Sequence, residues 1–261
     1  MSSIKTITKL YSSKIVKFIF IMIFLIYFIA MFIYPFIDTE FDFLLVQKIW
    51  SNWQSFNAGM LALLASIIAL ATTMYQSEKQ RQRDLIAAKV FLSESLNELH
   101  DYYISCAALL HFLAKKDKFI EPFPQPDLTK APLMPTKYRD GFSTCIKLSP
   151  PETVDALSHI VLWLPIHEHR LKNSLANYQP SNLNAIQHLD VMNGILHLGV
   201  LMSITLKLYS FCRTKNEHVN VRVGLDEMYQ ALNILNIETD NVNGLKEYIE
   251  RKLPVFDYDL S

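Results

Sequence analysis

The chain has 261 residues, 51% of them hydrophobic, and equal numbers of basic and acidic residues, 25 of each. Over residues 76–261 the balance is 20 basic against 22 acidic, which advertises no basic face and does not favour nucleic-acid binding. An odd set of three cysteines, with no Cys-x-x-Cys among them, argues against a disulfide framework.

The first apolar stretch, Phe18–Tyr34, carries no charge, and with Pro35, Phe36 and Ile37 it reaches about 20 residues. That length crosses a hydrocarbon core of roughly 30 Å. A cleaved signal peptide is the rival reading. It calls for a shorter apolar run and small residues at a cleavage site, whereas Met31-Phe32-Ile33-Tyr34-Pro35 is bulky throughout. The second stretch, Ala58–Tyr75, runs straight into the polar segment Gln76–Asp84 and then into an amphipathic pattern ending near Lys116. No Gly lies between Met60 and Asp140, and no Pro between Phe36 and Glu121, so no strong breaker interrupts one long helix. Continuous over that range, it would be a rod on the order of 80–90 Å.

Charge orients the pair. Lys5, Lys9, Lys14 and Lys17 precede the first stretch, and Lys79, Arg81 and Arg83 follow the second as a basic cluster at the membrane exit. Asp38, Glu40 and Asp42 lie between the two, against one Lys48. The positive-inside rule then puts both termini in the cytoplasm, with a short external loop at about 38–53. Tyr34, Trp50 and Trp53 stand where interfacial aromatic anchors belong; packing within the outer loop is the alternative. Ala58, Ala62, Ala65, Ala69 and Thr72 share one face of the second helix, a small-residue surface that lets another helix approach closely. Its partner is either the first segment of the same chain or a second copy. Neither stretch has an ionisable residue at its centre, which argues against a dedicated transporter.

Residues 76–261 read as helical nearly throughout. Leu85, Leu92, Leu96, Leu99, Tyr103, Cys106, Leu110 and Leu113 form a stripe close to a heptad seam, either the core face of a bundle or a coiled coil between protomers. Glu121–Asp127 is Pro-rich and, with Pro132 and Pro135, reads as an extended connector. Ser149-Pro150-Pro151-Glu152 starts a helix that Pro165 should kink or end. Pro180 opens another helix, with Ser181 as its N-cap, running to about Arg213. Its apolar stretch 195–211 is read as the buried central helix of a bundle and not as a third span. Shorter helices follow near 225–236 and 242–252, and Pro254–Ser261 is read as an extended tail.

Motifs for chemistry are scarce. His167 and His169 stand at i and i+2, about 200° apart on a helix, so they do not converge on one metal. His188 with Asp190 has the same difficulty, and His100 with Asp101 is read as facing solvent or the bundle. Cys106 and Cys212 read as core residues. The six glycines are scattered and build no phosphate-cradling loop. The expectation is a non-enzymatic chain with no cofactor, metal or catalytic residue.

Phe56-Asn57-Ala58-Gly59, Glu78-Lys79-Gln80-Arg81, Ala87–Leu92 and Leu96-Asn97-Glu98-Leu99 together give the segment Trp53–Tyr103 a recognisable texture. It resembles a widespread group of bacterial inner-membrane proteins with two spans and a helical cytosolic domain. Some of these look like the membrane effectors of retron anti-phage systems. The resemblance implies an all-α fold: a cytoplasmic segment 1–17, a transmembrane hairpin 18–75 and a cytosolic helical domain 76–261. It also implies an inner-membrane location and a role in disrupting that membrane. Expected partners are the lipid bilayer, further copies of the chain, and a reverse transcriptase–nucleic acid complex held by the cytosolic domain, without direct nucleic-acid binding. A membrane anchor or scaffold that recruits a protein is the alternative.

Overall fold

The computed structural model describes residues 14–114, 130–176, 185–214 and 217–256. The fold is all-α, with no strand among the described residues. Two compact units divide the chain, Met1–Gln76 and Ser77–Ser261.

In the first unit, α1 (Lys14–Phe28) passes through a π-helical turn, Ile29–Ile33, into α2 (Tyr34–Asp38). Pro35 accounts for the irregularity. It lies in the first turn of α2 and has no N–H to give to Met31, four residues back. The Trp50 indole fills that gap, donating from Nε1 to the Met31 carbonyl at 2.9 Å. A four-residue turn, Thr39–Asp42, reverses the chain, with Glu40 (φ 50°) and Phe41 (φ 68°) in the left-handed region that bulky residues rarely enter. Asp42 then caps α3 (Phe43–Asn52), accepting from the Leu44 N–H at 2.9 Å. The connector at about 38–53, expected as an external loop, is thus a tight turn followed by a helix. Val46 of α3 is fully buried, and its Trp50 ring contacts Phe32 and Phe36, both at 5.9 Å.

After a break at Trp53 comes α4, Gln54–Ala114, a helix of 61 residues shared by both units. Its hydrogen-bonded turns run unbroken through Gln76–Asp84, as the absence of Gly and Pro allows.

The second unit is a helical bundle. It comprises the later part of α4, α5 (Tyr138–Leu148), α6 (Pro151–Ala176), α7 (Ala185–Arg213), α8 (Leu225–Ile234) and α9 (Leu245–Lys252). Leu85, Leu92, Leu96, Leu99, Tyr103, Cys106, Leu110 and Leu113 are all buried in its single core cluster. The heptad-like stripe is therefore filled from within the chain, and a coiled coil between protomers is not its use. Ile195, Val200, Leu201, Ile204 and Leu208 make α7 the central helix.

Three further features depart from the sequence reading. Helix α6 continues through Pro165 to Ala176, burying His167 and Leu171 beyond the proline. Packing of that far half outweighs the single hydrogen bond that Pro165 removes. Helix α5 was not expected at all. Its Gly141 sits so close to α4 that an added Cβ would meet Ser95 Oγ at 2.7 Å and the Phe91 carbonyl at 3.4 Å. The start of the expected tail is also corrected: Leu253–Val255 forms a 3₁₀ turn. The Pro-rich connector Glu121–Asp127, the Ser181 cap with Pro180, and residues 257–261 lie outside the described residues.

Candidate functional site: the apolar hairpin and the bundle surface

Within the first unit, the seam between the arms runs through Asn57, Met60, Leu64 and Ile67, each half-buried. Tyr27 donates its hydroxyl hydrogen to Asn57 Oδ1 at 2.9 Å, and its ring lies 6.1 Å from Phe56. A half-buried interhelical hydrogen bond of this kind satisfies two polar groups that lipid cannot. The sequence shows both residues, but their pairing is a long-range fact that periodicity does not carry.

The small-residue face lies beside this seam, not on it. Ala58, Ala62, Ala65, Ala69 and Thr72 are all exposed, and nothing lies within 4 Å of a Cβ built on Gly59. Of the two partners considered for that face, the first segment takes the neighbouring face and leaves this one uncovered. The hydroxyls nearby are satisfied on their own helix: Ser66 bonds the Ala62 carbonyl at 2.8 Å and Thr73 the Ala69 carbonyl at 2.9 Å. Among the described residues, three helices are long and apolar enough to cross a membrane; the apolar stretch at Ile21–Asp38 is 11% buried and that within Gln54–Ala114 is 0% buried.

The aromatic anchors separate. Tyr34 and Trp53 are exposed. Trp50 is half-buried, its N–H already used on Met31. The basic cluster separates too. Lys79 and Arg83 are exposed. Arg81 turns onto the bundle surface, where its guanidinium pairs with Glu78 at 2.8 Å and Glu217 at 3.0 Å and donates to the Leu148 carbonyl. The hydrogen bonds that Arg81 donates to the Glu78 carboxylate raise the Arg81 pKa and lower that of Glu78. With about a third of both partners' side chains exposed at Glu217, such pairs contribute roughly 0–1 kcal/mol each.

A cluster absent from the sequence reading lies at the edge of the bundle core, with His159 buried and Trp163, His197 and Phe256 half-buried. The His159, Trp163 and His197 rings stack in series, with centroids 5.5 and 5.0 Å apart, and Phe256 closes on His197 at 5.1 Å. Arg170 Nη1 lies 2.7 Å from His197 Nε2. His167 is buried, and neither of its ring nitrogens has a hydrogen-bond partner. Burial first, then the Arg170 charge, pushes the His167 pKa down to about 4 and that of His197 to about 3. Both are neutral at pH 7, so the cluster behaves as aromatic core. Its members come from α6, α7 and the C-terminal segment, and the i, i+4 spacing of His159 and Trp163 was the one local signal. His169 points outward to Asn173, which separates it from His167 as the helical spacing requires. Among the described residues, no group of three His, Cys, Asp or Glu side chains is arranged to hold a metal.

Grooves lie on the bundle surface among the described residues. One, of about 640 Å³, is lined by Lys207, Phe211, His218, Arg222 and Glu227. Its Lys207 is already engaged, 2.7 Å from Glu227 and donating to the Arg222 carbonyl at 2.6 Å. Another, of about 510 Å³, lies between α4 and α5, with Phe91 and Ala88 in its lining and Glu94, Glu98 and Asp140 around them. Ile86, Val90 and Phe91 stand together on α4 as an exposed apolar patch. Cys106 and Cys145 are buried thiols, pushed up to about 12 by desolvation, and unsuited to nucleophilic work.

Comparison of the chain with protein-family models, with curated proteins and with solved structures finds no match.

Proposed function

We propose that the protein is a non-enzymatic membrane effector of a bacterial inner membrane, of the retron-like anti-phage kind its sequence resembles. The hairpin sits in the bilayer with both chain ends cytoplasmic, and the bundle holds a cytosolic partner, a reverse transcriptase–nucleic acid complex. Loss of that partner frees hairpins to associate and to breach the membrane. One observation carries this reading: the small-residue face Ala58–Thr72 is left exposed by the chain's own first helix. A face of that kind is where membrane helices meet closely. Expression of the chain alone should collapse the membrane potential and stop growth, and Ala62→Leu with Ala69→Leu should restore both. Healthy cells with an intact potential at high expression would count against the reading.

The exposed Ile86, Val90 and Phe91 patch favours a second reading, a membrane anchor whose bundle recruits a protein. That reading expects no toxicity at any level of expression, and a co-purifying partner lost on Val90→Glu with Phe91→Glu.

A further inference from the structure

The two apolar stretches are out of step along the hairpin. Tyr27 meets Asn57 and Met31 meets Trp50, and the last half-buried seam residue, Ile67, falls at the level of Lys17 by the same register. The first arm is apolar from Phe18 to Ile37, and this register places residues from about 43 to 66 beside it, not 54–75. The offset is about ten residues, or roughly 15 Å at helical rise.

A bilayer therefore aligns with one stretch or the other. Aligned with 54–75, it takes Lys14 and Lys17 below its surface. It also leaves Ile33, Ile37, Phe41, Phe43 and Leu44 in water, with Phe41 and Leu44 76% and 75% exposed. Aligned with the first arm, it is bounded by Lys14 and Lys17 on one side and by Asp38, Glu40 and Asp42 on the other. The same apolar side chains then meet lipid. The reversing turn suits that setting. The Thr39, Glu40, Phe41 and Asp42 N–H groups all bond to carbonyls of the same segment, which is what non-helical backbone near hydrocarbon requires. Lys48 lies within reach of the acidic boundary and can snorkel to it.

This alignment has one cost. The break at Trp53 and the π-helical turn then share a level within about 5 Å of the mid-plane. Ser51, Asn52, Gln54 and Ser55 surround the break with exposed side chains and no partner among the described residues. Carboxamides in hydrocarbon need donors and acceptors, which lipid tails do not offer. We propose that the polar break Ser51–Ser55 is the contact between copies in the membrane, Asn52 and Gln54 of one chain bonding to those of a second. The proposal rests on the hairpin's being membrane-embedded, and it adds a polar contact of defined depth to the part of the small-residue face that this alignment keeps in hydrocarbon, Ala58, Ala62 and Ala65, leaving Ala69 and Thr72 beyond it.

The test uses the full chain in lipid vesicles, with single cysteines at Leu44, Leu61 and Thr72 and energy transfer between labelled copies. Leu61 lies within hydrocarbon in both alignments, so labelling there by an impermeant maleimide would overturn the embedded hairpin itself. The expected result is protection at 44 and 61 and labelling at 72 from the side bearing the bundle. Labelling at 44 with protection at 72 would overturn the proposal while leaving the hairpin reading intact. Asn52→Leu with Gln54→Leu should weaken association at least tenfold, and Asn52→Gln with Gln54→Asn should retain it. Unchanged energy transfer in the leucine pair, alongside a loss in Ala62→Leu with Ala69→Leu, would overturn the polar contact and leave the small-residue face standing.

Discussion

Two helices of this chain have nearly the same hydropathy and opposite surroundings. The membrane-length window within α4 has a mean hydropathy of 1.8 and none of it is buried, while His188–Arg213 reaches 1.6 and is 72% buried. Apolarity alone does not tell a span from a core. The difference lies in what the rest of the sequence supplies. Around α7, the helices α4, α6, α8 and α9 each bring an apolar stripe to one core. Around the first part of α4, the short hairpin brings one seam, and the other faces are left to a different solvent.

The strongest way to break that comparison is to put a charge on each helix. Leu201→Asp, in the α7 core, should cost about 4–5 kcal/mol or more and unfold the bundle, because it buries an unpaired carboxylate. Leu61→Asp, 65% exposed in the hairpin, should leave the bundle folded and instead lower membrane integration. Thermal unfolding in detergent and membrane fractionation separate the two outcomes. Equal loss of folding in both variants would erase the contrast.

Acid is the next lever, through two histidines of the bundle. Both His167 and His197 are depressed in the fold, to about 4 and about 3, against an unfolded value near 6.5. Between those limits the unfolded chain binds more protons, so stability is fully present above pH ~6.5 and is lost as pH falls toward the folded values. The loss is on the order of 2 kcal/mol per histidine near pH 4.5. Chemical denaturation across pH should show the slope, and His167→Leu should flatten it.

Smaller effects sharpen how tightly the bundle is built. Gly141→Val should cost roughly 1–3 kcal/mol by forcing α5 away from α4, read as a lower denaturation midpoint. Arg81→Ala should cost under about 1 kcal/mol, since its ion pairs are partly exposed. Its effect should shrink further at high salt.

The sequence made the bundle's main stripe legible, because Leu85 through Leu113 repeat at helical spacing and all eight residues are core. It made the continuity of α4 legible through what was missing, Gly and Pro. It did not disclose α5, whose mixed composition is held in place by contact with α4 at Gly141. Of the two outcomes expected at Pro165, a kink or an end, the end does not occur, because tertiary packing carries the helix on to Ala176. The hairpin's register was illegible for a related reason. Tyr27 with Asn57, and Pro35 with Trp50 through the Met31 carbonyl, are pairings of residues far apart in the chain, and hydropathy windows treat each stretch alone. Arg81 belonged to a basic cluster by proximity in sequence, but the fold spends it on Glu217 and Leu148.

The contrast between the two apolar helices is tested most directly by a photoactivatable phospholipid incorporated in the native membrane, with labelled peptides mapped along the unmodified chain. The account predicts label in both arms of the hairpin, within residues 18–66, and none in α7. Label spread along 188–213, or a hairpin left unlabelled, would contradict it.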